Sequence, residues 1–122
     1  MFFTMNKEEI IDFFKDTYYQ IKSFSQNDII AIEGDECVAI GIVLSGSIDI
    51  KRMLSNNVIQ MTSFGPGHLF GEVIIFSDVN KYPATVISSS KSEILFISRE
   101  NFKQFTYTHP DFLEMFLRDL SN

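Results

Sequence analysis

The sequence predicts a mostly β domain, an antiparallel sandwich or barrel of about eight short strands with a helix at each end. Three observations predict it. Between Phe24 and Phe102, short apolar stretches alternate with turn signals such as "EGDE", "LSGS", "LSNN" and "FGPG". Several of those stretches alternate apolar and polar residues, as in Ile48-Asp49-Ile50, which is the period of a half-buried strand. The two ends instead carry apolar residues at helical spacing.

The first helix is expected over about residues 6 to 20. Asn6 can cap it and Glu9 stands three residues later, which is a capping-box arrangement. Ile10, Ile11, Phe13, Phe14 and Tyr18 recur on one face and are read as core contacts. The barrel follows over about residues 24 to 102, with strands in "IIAI", "AIGIVL", "IDIKRM", "VIQMTSF", "ATVIS" and "EILFIS". "SNN" at 55 to 57 reads as a hairpin turn, since Asn tolerates left-handed backbone. The last helix is expected over about 109 to 122. Pro110 suits its first turn and Asp111 the positive end of its dipole. Phe112, Leu113, Phe116, Leu117 and Leu120 make one apolar stripe, wide enough for both the barrel and a partner helix.

With 122 residues, 45% hydrophobic and 21% charged, the chain is one globular domain able to bury a core. A net charge of −6 disfavours a nucleic-acid backbone as a direct partner. The adjacent basic pair Lys51-Arg52 is read as a solvated strand end. The single cysteine, Cys37, excludes an internal disulfide and a thiolate-rich metal site, and is read as a small buried apolar residue. No apolar run approaches the ~20 residues needed to span a bilayer, and the N-terminus lacks a signal-peptide pattern. A cytoplasmic protein with no membrane partner is expected.

No constellation for catalysis or metal binding is legible, so no enzyme activity, metal or cofactor is expected. His68 and His109 are far apart and are read as exposed loop residues. There is no His-x-His pair of the kind a metal cupin uses, and no Gly-x-Ser-x-Gly elbow. Glu33, Asp35 and Glu36 surround a turn and are read as solvated.

Three landmarks in order carry a resemblance: "IIAIEGDECVAIGIVLSGSIDI", "FGPGHLFGE" (64 to 72) and "YPATVISSSKSEILFISRENF" (82 to 102). From about Phe24 to Leu120 the chain resembles the cyclic nucleotide-binding domain, specifically the sensor domain of Crp/Fnr transcription regulators. The resemblance implies a double-stranded β-helix, or jelly-roll barrel. Gly34 and Gly46 sit where its tight turns need unusual backbone angles, and Gly65, Gly67 and Gly71 let the phosphate loop bend. A short helical turn over "EVIIF" is expected to aim free amides into the barrel.

By the same resemblance, Gly71, Glu72, Val73, Lys81, Tyr82, Ala84 and Thr85 are the candidate ligand-binding residues. Glu72 matches the glutamate that accepts a ribose hydroxyl. Tyr82 stands where the family places the arginine that clamps the cyclic phosphate, so that clamp is missing. Arginine offers phosphate a fixed charge and two donors, whereas tyrosine offers one neutral donor. Losing one partner of a buried charge pair costs about 2–5 kcal/mol, roughly 30-fold to several-thousand-fold in affinity. Lys81 is adjacent, so in an extended segment its side chain points to the opposite face. Pro83 holds Tyr82 toward that extended geometry.

The function expected is therefore effector sensing in a Crp/Fnr-type regulator, with cyclic nucleotide disfavoured and a small effector of another kind, or none, in its place. The alternatives are a true cyclic-nucleotide sensor using Lys81 or backbone amides, and a ligand-free protein-interaction module. In the family the long helix after the barrel pairs two copies. Leu113, Phe116, Leu117 and Leu120 are the candidate contacts of a homodimer formed by the full-length protein. No helix-turn-helix pattern is present in these 122 residues, so the chain is expected to be a fragment that meets DNA only through a C-terminal domain it does not contain.

Overall fold

The computed structural model describes residues 1–121. Helix α1 (Lys7–Phe13) precedes eight strands: β1 (Gln20–Phe24), β2 (Ile29–Ala31), β3 (Ala39–Ser45), β4 (Ile48–Leu54), β5 (Asn57–Phe64), β6 (Leu69–Phe70), β7 (Thr85–Ser88) and β8 (Ser92–Ser98). Helices α2 (Arg99–Thr108) and α3 (Pro110–Leu120) follow. The strands form two four-stranded antiparallel sheets, ordered β1-β8-β3-β6 and β2-β7-β4-β5. This is the mostly β jelly roll expected of the sequence.

The reason "AIGIVL" reads as unbroken apolar sequence lies in its position. Strand β3 is buried on both faces. Ile40, Ile42 and Leu44 pack among the helices with Leu95, Ile97 and a set of phenylalanines. Val43 points the other way, into the barrel with Ile48, Phe70, Val86 and Ile94. Gly41 lets the Phe70 ring lie directly on the backbone of β3, because any Cβ there would overlap the ring.

The capping box forms as read: Glu9 N–H donates to Asn6 Oδ1 at 2.9 Å, and Asn6 N–H to Glu9 Oε1 at 3.1 Å. The helix is shorter than expected, ending at Phe13 instead of near residue 20. Gln20–Phe24 pairs with β8 from Gln20↔Phe96 to Phe24↔Ser92, so the barrel starts four residues earlier than the expected boundary. Sheet pairing outweighs local helical spacing there, and Tyr18, read as core, is exposed. The "LSNN" turn is a two-residue loop with Ser55 and Asn56 both left-handed (φ 50° and 70°), the backbone a right-twisted hairpin needs.

Helix α2 corrects the other barrel boundary. Strand β8 stops at Ser98, whose Oγ accepts from Asn101 N–H at 3.2 Å and caps a helix the strand-like reading to 102 overlooked. Helix α3 lies where the last helix was expected, and the expectation for Asn122 falls outside the described residues. Among the described residues no helix is long and apolar enough to cross a membrane.

One ion pair ties α1 to the sheet. Lys7 Nζ donates to Glu93 Oε1 at 2.7 Å, and Ser45 Oγ donates to the same oxygen at 3.1 Å. The Lys7 hydrogen bond is the main cause holding the Glu93 carboxyl below its ordinary range, with Ser45 adding to it. A depressed folded-state pKa contributes stability above the unfolded pKa, and that contribution fades as pH falls through the folded value. In an NMR titration, Lys7→Met is expected to raise the Glu93 midpoint toward that of an ordinary glutamate. An unchanged midpoint would assign the depression to Ser45 and the charge of Lys91 instead.

Candidate functional site

Two segments build the candidate site. The first runs from Phe64 through the glycine-rich loop into β6 and the turn after it. Gly71 is left-handed (φ 85°), and its carbonyl accepts from Ile74 N–H at 3.1 Å and Ile75 N–H at 3.0 Å. The expected helical turn over "EVIIF" is a hydrogen-bonded turn and no longer helix, so two of its amides are spent internally. This geometry plants Ile75 in the core and turns Glu72 inward, leaving only 9% of Glu72 exposed.

The second segment enters β7. Tyr82 N–H donates to Asp35 O and Gly34 N–H to Tyr82 O, both at 2.9 Å, while Cys37 N–H donates to Asn80 O at 2.7 Å. The Gly-Asp turn and the segment around Tyr82 are therefore stitched together by backbone. Tyr82 packs against both core clusters. Its hydroxyl lies beside the Cys37 thiol, and burial pushes the phenol far above its usual range, with the thiol adding to the shift.

Between these segments lies a cavity of about 380 Å³. Its walls are mainly apolar, with Ile50, Phe64, Leu69, Phe70, Ile74 and Val86 prominent. Of the sequence-predicted residues, Gly71, Glu72, Val73, Tyr82 and Ala84 line it; Lys81 and Thr85 do not. Lys81 is exposed on the outer face, as the period of two requires once Tyr82 points inward. Thr85 Oγ1 accepts from Glu33 N–H at 3.0 Å and serves the Gly-Asp turn instead of the cavity. No Lys or Arg side chain is among the lining residues described.

Three participants escaped the sequence reading. Met1 lines the cavity, and its α-ammonium lies 3.5 Å from Glu72 Oε1. The apolar start "MFF" ahead of a capped helix was the available signal. His68, expected to be exposed, is half-buried between two rings: Phe64 stacks at 4.8 Å between centroids, and Phe2 lies tilted at 4.6 Å. Cys37 is buried as expected, but beneath Tyr82, with its Sγ 3.4 Å from Ala39 O. His109, also expected to be exposed, is half-buried on Phe105 with Nδ1 2.9 Å from Phe105 O. Among the described residues no three His, Cys, Asp or Glu side chains gather in a metal-binding group.

Burial, the largest cause, raises the Cys37 thiol above its ordinary pKa. Alkylation by iodoacetamide at pH 8 is thus expected to be slow in native protein and to reach the rate of a free thiol in urea. Equal rates in both would show that the Tyr82 segment opens freely.

The stripe on α3 divides. Phe112 and Phe116 are core residues, so Phe116 is removed from the expected pairing surface. Leu113 is half-buried, while Leu117 and Leu120 are exposed.

The site is thus a walled cavity in a jelly roll, bounded by a glycine-rich turn and an inward glutamate. The family model described as "Cyclic nucleotide-binding domain" matches residues 21–109, and the chain belongs to that family. A transcriptional regulator from Thermotoga maritima has a similar structure, with TM-score 0.83 at 21% identity over 96% of this chain and 88% of that one. The catabolite activator protein of Thermus thermophilus gives TM-score 0.73 at 25% identity, over 97% of this chain and 58% of that one. The c-di-GMP-responsive global regulator CLP of Xanthomonas campestris gives 0.78 at 21%, over 93% and 57%. The chain thus spans somewhat more than half of the last two proteins. No curated protein matches it in sequence.

Proposed function

We propose that the chain is the effector-sensing domain of a Crp/Fnr-type transcription regulator whose effector is not a cyclic nucleotide. One observation carries this reading: the cavity keeps the buried carboxylate of Glu72 and places Tyr82, instead of an arginine, opposite the glycine-rich turn. A cyclic phosphate entering it would meet the Glu72 carboxylate with the Met1 ammonium 3.5 Å from it, and no lining Lys or Arg side chain among the described residues. The exposure of Lys81 argues against it as a substitute clamp, and the Ile74 and Ile75 amides are already bonded to the Gly71 carbonyl. A cavity of this size argues against a purely ligand-free interaction module.

In the whole regulator, two copies pair along α3 through Leu113, Leu117 and Leu120, and a separate domain contacts DNA. Calorimetric titration with cyclic AMP tests the effector reading. No binding is expected at millimolar nucleotide. Micromolar binding by the unaltered chain would overturn it.

A further inference from the structure

The N-terminal three residues are docked onto the mouth of the cavity as an added edge. Phe3 N–H donates to Gly67 O at 2.8 Å, and Leu69 N–H donates to Met1 O at 3.0 Å. Phe2 bridges to His68, and its ring lies on the His68 imidazole. Gly67 (φ 91°) has the bare backbone this approach needs, because a Cβ there would overlap the Phe3 carbonyl. Met1 itself reaches the cavity wall and sets its ammonium against Glu72 Oε1.

That ammonium satisfies the carboxylate poorly. The separation of 3.5 Å is long for a charged pair, and Glu72 Oε2 is buried with no hydrogen-bond partner among the described residues. A buried carboxylate oxygen left in this state costs free energy that a better-placed donor recovers. No lining Lys or Arg is there to provide one. Met1 therefore presents a primary ammonium, in an apolar cavity, to a carboxylate whose Oε2 still lacks a partner.

We infer that the cavity takes small primary ammonium compounds with an apolar body, which displace Met1 from Glu72 and engage both carboxylate oxygens. The inference rests on the reading that this cavity is an effector site not selective for cyclic phosphate. It adds the chemistry of the occupant, and it makes the Met1–Phe3 segment a tethered competitor released when that occupant binds.

Three probes with one apolar body test it: 2-phenylethylamine, 2-phenylethanol and 3-phenylpropionate. They are titrated into the whole chain by calorimetry and by NMR of methyl-labelled methionine. The ammonium probe is expected to bind about ten-fold or more tightly than the alcohol, the gain of a charge-assisted hydrogen bond. The carboxylate is expected not to bind. The Met1 methyl resonance is expected to shift with the ammonium probe, and the isosteric Glu72→Gln chain to lose the preference for it. Acetylating the Met1 amine is expected to tighten the ammonium probe several-fold by removing its competitor.

Equal affinity for amine and alcohol, a preference that survives Glu72→Gln, or no binding of the amine at 10 mM (roughly a 3 kcal/mol floor) would each overturn the inference. Cyclic AMP titrated in parallel separates the two levels. If neither amine nor nucleotide binds, only the inference falls; if the nucleotide binds at micromolar concentration, the reading beneath it falls as well.

Discussion

The Tyr82→Arg chain is expected to bind cyclic AMP at least about 30-fold more tightly than the unaltered chain. Residue 82 lines the cavity together with Glu72 and the Gly71 turn, and its backbone is held by Asp35 and Gly34. A guanidinium carried there faces inward for the same reason the phenol does. It supplies a fixed positive charge and a two-pronged donor where no basic side chain of the described lining does so. One partner in a buried charge pair is worth about 2–5 kcal/mol, which spans roughly 30-fold to several-thousand-fold in affinity. The lower end is expected, because Glu72 competes with phosphate for the new guanidinium. Parallel calorimetry on both chains measures it, with Tyr82→Phe as a control that keeps the ring and lacks the charge. A cavity retuned at one position would give binding only in the arginine chain. Failure of all three would mean that the walls themselves exclude a nucleotide.

Truncating Phe112 to alanine is expected to be the most damaging single change to the fold. Its ring sits 5% exposed at the centre of an aromatic cluster linking α1, α2, α3 and the N-terminal residues. Ring centroids lie 5.3 Å away at Phe105, 5.6 Å at Phe13, 5.9 Å at Phe102 and 6.1 Å at both Phe3 and Phe116. These separations are those of edge-to-face and offset pairs, which add to the burial. Removing a buried Phe side chain costs about 3–5 kcal/mol, set against a total of about 5–15 kcal/mol for a domain. Urea unfolding should show the midpoint falling by about a fifth or more while the slope is kept. Leu117→Ala, on the exposed face of the same helix, should change stability by no more than about 0.5 kcal/mol. A similar loss in both chains would mean that helix propensity, not the aromatic cluster, anchors α3.

What was legible beforehand follows the range of the interaction. The capping box of Asn6 and Glu9, the Ser55-Asn56 hairpin and the opposite facing of Lys81 and Tyr82 each depend on neighbours within a few residues. Propensity and period therefore reach them. The order of landmarks was also readable, because the turn chemistry of Gly34, Gly46 and Gly71 leaves its mark locally; all three are left-handed in the structure.

The remainder depends on partners distant in sequence. Helix α1 stops early because Gln20–Phe24 finds β8, some seventy residues on. The α3 stripe was visible as a whole, yet only docking decides that Phe112 and Phe116 enter the core while Leu117 and Leu120 stay outside. His68 and His109 became half-buried through aromatic faces that no local pattern announces. Above all, Met1 meets Glu72 across seventy-one residues. By itself the sequence determined six of the eight strands, the turns and the tyrosine at position 82, since each is a property of a residue and its immediate neighbours. Only the tertiary structure decided which groups share the cavity, because burial and charge pairing belong to surfaces that exist once distant segments have packed.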